Sequence, residues 1–102
     1  MQKILENKIS VLQNICVELG VKRLYAFGSV VSNHFGDDSD IDFLISFAEN
    51  LSIEQYTSNY FALQYKLRDM FKRNIDIVTE RTLSNPYFIE SIDETKKLIY
   101  EA

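Results

Sequence analysis

The sequence predicts an α/β (α+β) domain, and three observations carry that reading. Two long stretches place apolar residues at spacings of three and four, two short ones alternate apolar with polar residues, and the segments follow one another without repeats, low-complexity tracts or linkers. The chain has 102 residues, 46% of them hydrophobic. That is the size of one ordinary domain, 1–102, able to bury roughly two-thirds of its unfolded surface without a disulfide or a structural metal.

From Lys3 to Leu19 the residues Ile4, Leu5, Ile9, Leu12, Ile15, Cys16 and Leu19 mark one face of a single helix, stopped by Gly20. Arg23 to Phe27 is a β-prone run that delivers the chain into a turn at Gly28-Ser29. Asp40 to Phe47 alternates, with Ile41, Phe43, Ile45 and Phe47 on one face and Asp40, Asp42, Leu44 and Ser46 on the other. Ser52 caps the longest helix, in which Ile53, Tyr56, Tyr60, Leu63, Leu67, Met70 and Phe71 recur at helical spacing to about Arg73. Asn74 to Glu80 alternates again, setting Ile75, Ile77 and Thr79 against Asp76, Val78 and Glu80. A short helix follows Asn85-Pro86 across Tyr87 to Asp93, and Lys97 to Tyr100 fits either a last strand or a helical turn.

Eleven basic against fifteen acidic residues give a net charge of −4, the wrong sign for gripping nucleic-acid phosphates across a broad face. One cysteine, Cys16, excludes an internal disulfide, and its place on an apolar helix face reads as core packing. With a single histidine, His34, a Cys/His zinc site would need carboxylates or a partner. No run approaches the roughly 18 apolar residues of a membrane span and the first residues lack a signal-peptide core, so a cytoplasmic protein is expected.

The chemistry lies in the carboxylates. Strand periodicity puts Asp40 and Asp42 side by side, and two like charges so close need a reason, most often a hard divalent cation. If the two alternating strands are neighbours, Asp76 converges on the pair and three carboxylates can surround one or two Mg²⁺ ions. Gly28-Ser29 could bring backbone amides and a hydroxyl to a phosphate. Asp38, Asp40, Asp42 and Glu49 also fall at positions of a calcium-binding EF-hand loop, but Phe43 occupies the required glycine position and the run continues as a strand. Lys66, Arg68, Lys72 and Arg73 form a basic cluster, read as a solvated helix face at a helix C-terminus.

The order of strand, Gly28-Ser29, ten residues, Asp40-Ile41-Asp42, long helix and strand with Asp76 resembles the minimal nucleotidyltransferases of the DNA polymerase beta-like superfamily. The resemblance covers nearly the whole chain and implies a nucleotidyltransferase fold, a small mixed β-sheet packed with helices. It implies that Gly28 and Ser29 hold the triphosphate of ATP, that Asp40 and Asp42 ligate Mg²⁺, and that Asp76 completes a second metal site and helps activate an acceptor hydroxyl. The chain departs from the pattern at Val30-Val31-Ser32, where many members carry a small residue and then an arginine, which removes a phosphate contact. His34 in the same loop is read as solvent-exposed.

Larger relatives append a domain that binds the acceptor, which this sequence does not show. Stand-alone members resemble the antitoxin partners of HEPN-domain toxins, which transfer AMP onto a tyrosine of the toxin and silence it. The resemblance thus implies a Mg²⁺-dependent protein adenylyltransferase acting as antitoxin on a HEPN-type partner. The alternatives are an antitoxin that neutralises by contact alone and, third, a small-molecule or RNA nucleotidyltransferase, with RNA disfavoured by the net acidity.

Overall fold

The computed structural model describes residues 2–32 and 34–102. Its elements are α1 (Lys3–Glu6), α2 (Ile9–Leu19), β1 (Val21–Phe27), β2 (Ile41–Phe47), α3 (Ile53–Phe71), β3 (Ile75–Thr79), α4 (Pro86–Thr95) and β4 (Lys97–Glu101), with short 3-10 turns at Gly28–Val31 and Glu80–Thr82. The strands form one sheet in the order β3-β2-β1-β4, with β2 and β3 parallel and the other pairs antiparallel. The expected small mixed sheet packed with helices is what the chain forms.

The alternation read in β2 explains why the sheet is two-sided. Ile41, Phe43, Ile45 and Phe47 are buried in the main core with Leu12, Cys16, Leu63 and Leu67 from α2 and α3. Burying each large apolar side chain of this kind contributes roughly 1.5–3 kcal/mol. On the opposite face Leu44 is buried as well, in a small second cluster with Phe27 and Ile92 of α4. The helix α4 therefore covers the middle of that face. Cys16 is fully buried, as expected of a core residue, and burial pushes its thiol up to about 12.

Helix α3 begins at a capping box: Ser52 accepts from the Gln55 amide at 3.1 Å, and Gln55 returns the contact to the Ser52 amide at 3.2 Å. It ends at Phe71, two residues earlier than expected, because Lys72 turns into the left-handed region at φ 55°. Arg73 is therefore on the connection to β3 and not on a helix face.

The N-terminal stretch also differs from expectation. One continuous helix from Lys3 to Leu19 becomes two, broken at Asn7-Lys8. The break lets α1 turn Leu5 into the core while the Gln2 amide donates to the Val30 carbonyl at 3.1 Å and the Gln2 side-chain amide reaches the Ser32 carbonyl. Tertiary bonds to the turn after β1 thus outweigh the helical periodicity. The ambiguous tail resolves as β4, an edge strand paired with β1.

Candidate active site

The carboxylates gather where β1 ends and β2 and β3 begin. Asp42 and Asp76 are register partners on adjacent parallel strands, each the second residue of its strand, so both project to the same side of the sheet. The condition on which Asp76 could join the pair is met. Asp40 precedes β2 by one residue and, like Asp76, is exposed, whereas Asp42 is half-buried.

On its other side Asp42 is the register partner of Phe27, and the chain then turns at Gly28. Gly28 has φ +74°, and a Cβ there would lie 2.5 Å from Asp42 Oδ2. The backbone conformation therefore favours glycine, and any larger residue would displace the Asp42 carboxylate. The Gly28 amide donates to Thr95 Oγ1 at 3.3 Å, which fixes the turn against the C-terminal end of α4. The turn is braced from within by Ser32, whose amide and hydroxyl both donate to the Ser29 carbonyl at 3.0 Å. Val30 is fully buried and Val31 partly buried against the main core. His34 is exposed, as expected.

The electrostatics follow from this crowding. The Asp42 carboxyl is pushed up to about 6, first by burial and then by the negative charges of Asp76 and Asp40. No ion pair among the described residues involves any of the three aspartates. Concentrated carboxylate charge without a protein cation is the donor set of a hard divalent ion.

Among the described residues no three Asp, Glu, His or Cys side chains stand close enough to hold an ion unaided. Asp42 and Asp76, aligned on neighbouring strands, are the one or two carboxylates by which Mg²⁺ is usually bound when substrate phosphate oxygens supply its other ligands. The residues present suit the group under that condition.

The raised value sets a pH dependence. Unfolded, Asp42 titrates near 3.8; folded, near 6, so between these values the native state binds more protons and this group's contribution to stability falls as pH rises. In metal-free protein Asp42→Asn is expected to gain in Tm relative to the parent as pH goes from about 4 to 6. A Tm difference that stays flat across that window would mean the carboxyl is not held at a raised value.

Residues 6–102 match the polymerase beta nucleotidyltransferase family. The chain belongs to that family. As a nucleotidyltransferase it is 35% identical over 80 residues to a candidate protein adenylyltransferase, MJ0126, of Methanocaldococcus jannaschii, covering 78% of this chain and 76% of the relative. A second such protein from the same organism, MJ1379, is 34% identical over 82 residues at the same coverage. Among solved structures, one described as a candidate minimal nucleotidyltransferase superposes with a TM-score of 0.70 at 26% identity, covering 91% of this chain and 90% of that one. The tri-AMPylated Shewanella oneidensis HEPN toxin in complex with MNT antitoxin contains the same fold, with a TM-score of 0.57 at 19% identity, covering 92% of this chain and 73% of that one.

Two further residues shape this nucleotidyltransferase's site, one without a sequence signal and one that the sequence assigns to a solvated helix face. Thr95 carries no motif, and its contact with Gly28 spans 67 positions. Arg73 belongs in sequence to the basic cluster, of which Lys66 pairs with Glu18 at 3.9 Å and Lys72 with Asp69 at 3.0 Å on the surface. Arg73 instead bonds the loop before Asp40. Its position immediately before the strand with Asp76 was the one available signal.

Proposed function

We propose that this nucleotidyltransferase is a Mg²⁺-dependent protein adenylyltransferase that transfers AMP from ATP to a hydroxyl, by preference of a tyrosine, on a HEPN-type toxin, and so acts as its antitoxin. The observation that carries the reading is the alignment of Asp42 with Asp76 on parallel strands, with Gly28 pressed against Asp42. Its relatives in Methanocaldococcus jannaschii are named as candidate protein adenylyltransferases, and structures of the same fold include toxin–antitoxin complexes, one of them with an AMP-modified toxin.

In this reading the acceptor oxygen attacks the α-phosphorus of ATP, the bond from that phosphorus to the bridging oxygen breaks, and pyrophosphate leaves. Asp40 and Asp42, with Asp76 at the acceptor side, would hold two Mg²⁺ ions, which supply charge neutralisation at the attacking and leaving oxygens. Asp76, exposed on the edge strand β3, takes up the hydroxyl proton. Gly28 gives the triphosphate room at the turn, and Ser29 offers its hydroxyl and amide. The Gly28 amide, engaged by Thr95, contributes through shape and not through a bond.

The test is incubation of the protein with ATP, Mg²⁺ and the HEPN-type partner, followed by intact mass spectrometry of both chains. Mass increments of one or more AMP units on the partner are expected, at a residue that peptide mapping identifies. A partner that stays unmodified while forming a tight complex would replace this reading with neutralisation by contact, the reading favoured by the valines at the turn.

A further inference from the structure

We infer that Arg73 is a positioning residue that clips the Asp40 loop to the strand carrying Asp76, a role that rests on the adenylyltransfer reading for its consequence in catalysis. The loop before β2 is a poor candidate for order on its own charges. Asp37, Asp38 and Asp40 are all exposed and lie within four residues, and their mutual repulsion favours spreading.

Arg73 enters this loop from the β3 side. Its Nη1 donates to the carbonyls of Gly36 at 3.0 Å and Ser39 at 2.8 Å, and its guanidinium lies 4.5 Å from the centroid of the Phe35 ring. A planar guanidinium can stack and donate at once, which suits Arg better than Lys at such a site. Ser39 immediately precedes Asp40, and Asn74, next to Arg73, accepts from the Ile41 amide at 3.1 Å. The clip and this backbone bond therefore flank Asp40 on both sides and tie it to the segment that leads to Asp76. Through them the spacing of the three carboxylates is held before any ion or nucleotide arrives.

The experiment compares Arg73→Met and Arg73→Lys with the parent by amide hydrogen exchange and by AMP transfer to the partner. In Arg73→Met the Ile41 amide is expected to exchange about tenfold faster or more while the Ile45 amide, deep in β2, changes by less than about twofold. The turnover number for transfer falls about 10- to 100-fold with KM for ATP little changed, and Arg73→Lys restores part of the loss. Unaltered Ile41 exchange, or acceleration equal at Ile41 and Ile45, overturns the inference, since the second result is general destabilisation. Should Arg73→Met not fold, Arg73→Gln also removes the guanidinium from the Gly36 and Ser39 carbonyls and is judged alike: Ile41-selective acceleration supports the clip, and exchange unaltered or raised equally at Ile41 and Ile45 overturns it. A parent that transfers no AMP refutes the adenylyltransfer reading, while the exchange pattern still decides the clip.

Discussion

Asp40→Asn combined with Asp42→Asn is expected to lower AMP transfer on the order of 10³-fold or more while the protein stays folded. The two halves of that statement have separate physical grounds. Asparagine keeps the shape of aspartate and loses the charge, so the anionic oxygens that would take divalent ions are gone. Stability does not require those charges: Asp40 is exposed, and Asp42 carries a negative charge that burial, Asp76 and Asp40 all oppose. Without metal, the double variant is therefore expected to melt at or above the parent's Tm at pH 7. Transfer at the parent's rate would remove Asp40 and Asp42 from the mechanism. Co-expression with the toxin adds a second readout. Loss of both transfer and protection makes the chemistry the antidote, whereas protection without transfer makes it the contact.

What could be read from the sequence depended on how local the cause is. The two faces of β2 were legible because strand periodicity is set residue by residue, and Asp40 and Asp42 came with it. The place of Asp76 was legible only as a condition, since no periodicity says which strand neighbours which; the parallel β2–β3 pairing supplies it. The break at Asn7-Lys8 was not legible, because Ile4, Leu5, Ile9 and Leu12 keep helical spacing across it and the bonds that favour it run from Gln2 to Val30 and Ser32. Arg73 was hidden for a related reason. A run of basic residues at a helix end suggests a solvated face, and only the left-handed turn at Lys72 removes Arg73 from it.

Gly28→Ala is expected to cost transfer far more than it costs stability, and Gly20→Ala supplies the comparison. Both glycines have similar positive φ, +69° at Gly20 and +74° at Gly28, so each alanine pays about 1–2 kcal/mol for a left-handed backbone, read as a Tm lower by several degrees. They differ in what the new Cβ meets. At Gly20 it lies 3.4 Å from Leu51 Cδ2, an ordinary contact. At Gly28 it lies 2.5 Å from Asp42 Oδ2, a distance that the carboxylate must relieve by moving away. That movement is cheap for folding, because Asp42 is short of favourable partners, and expensive for catalysis, where a displacement of about 1 Å can cost about 10²-fold. Transfer near the parent's rate in Gly20→Ala and about 10²-fold lower in Gly28→Ala, at matched Tm, would locate the effect in the Asp42 carboxylate. Equal rates in the two variants would show that the turn's backbone, and not its closeness to Asp42, is all that Gly28 supplies.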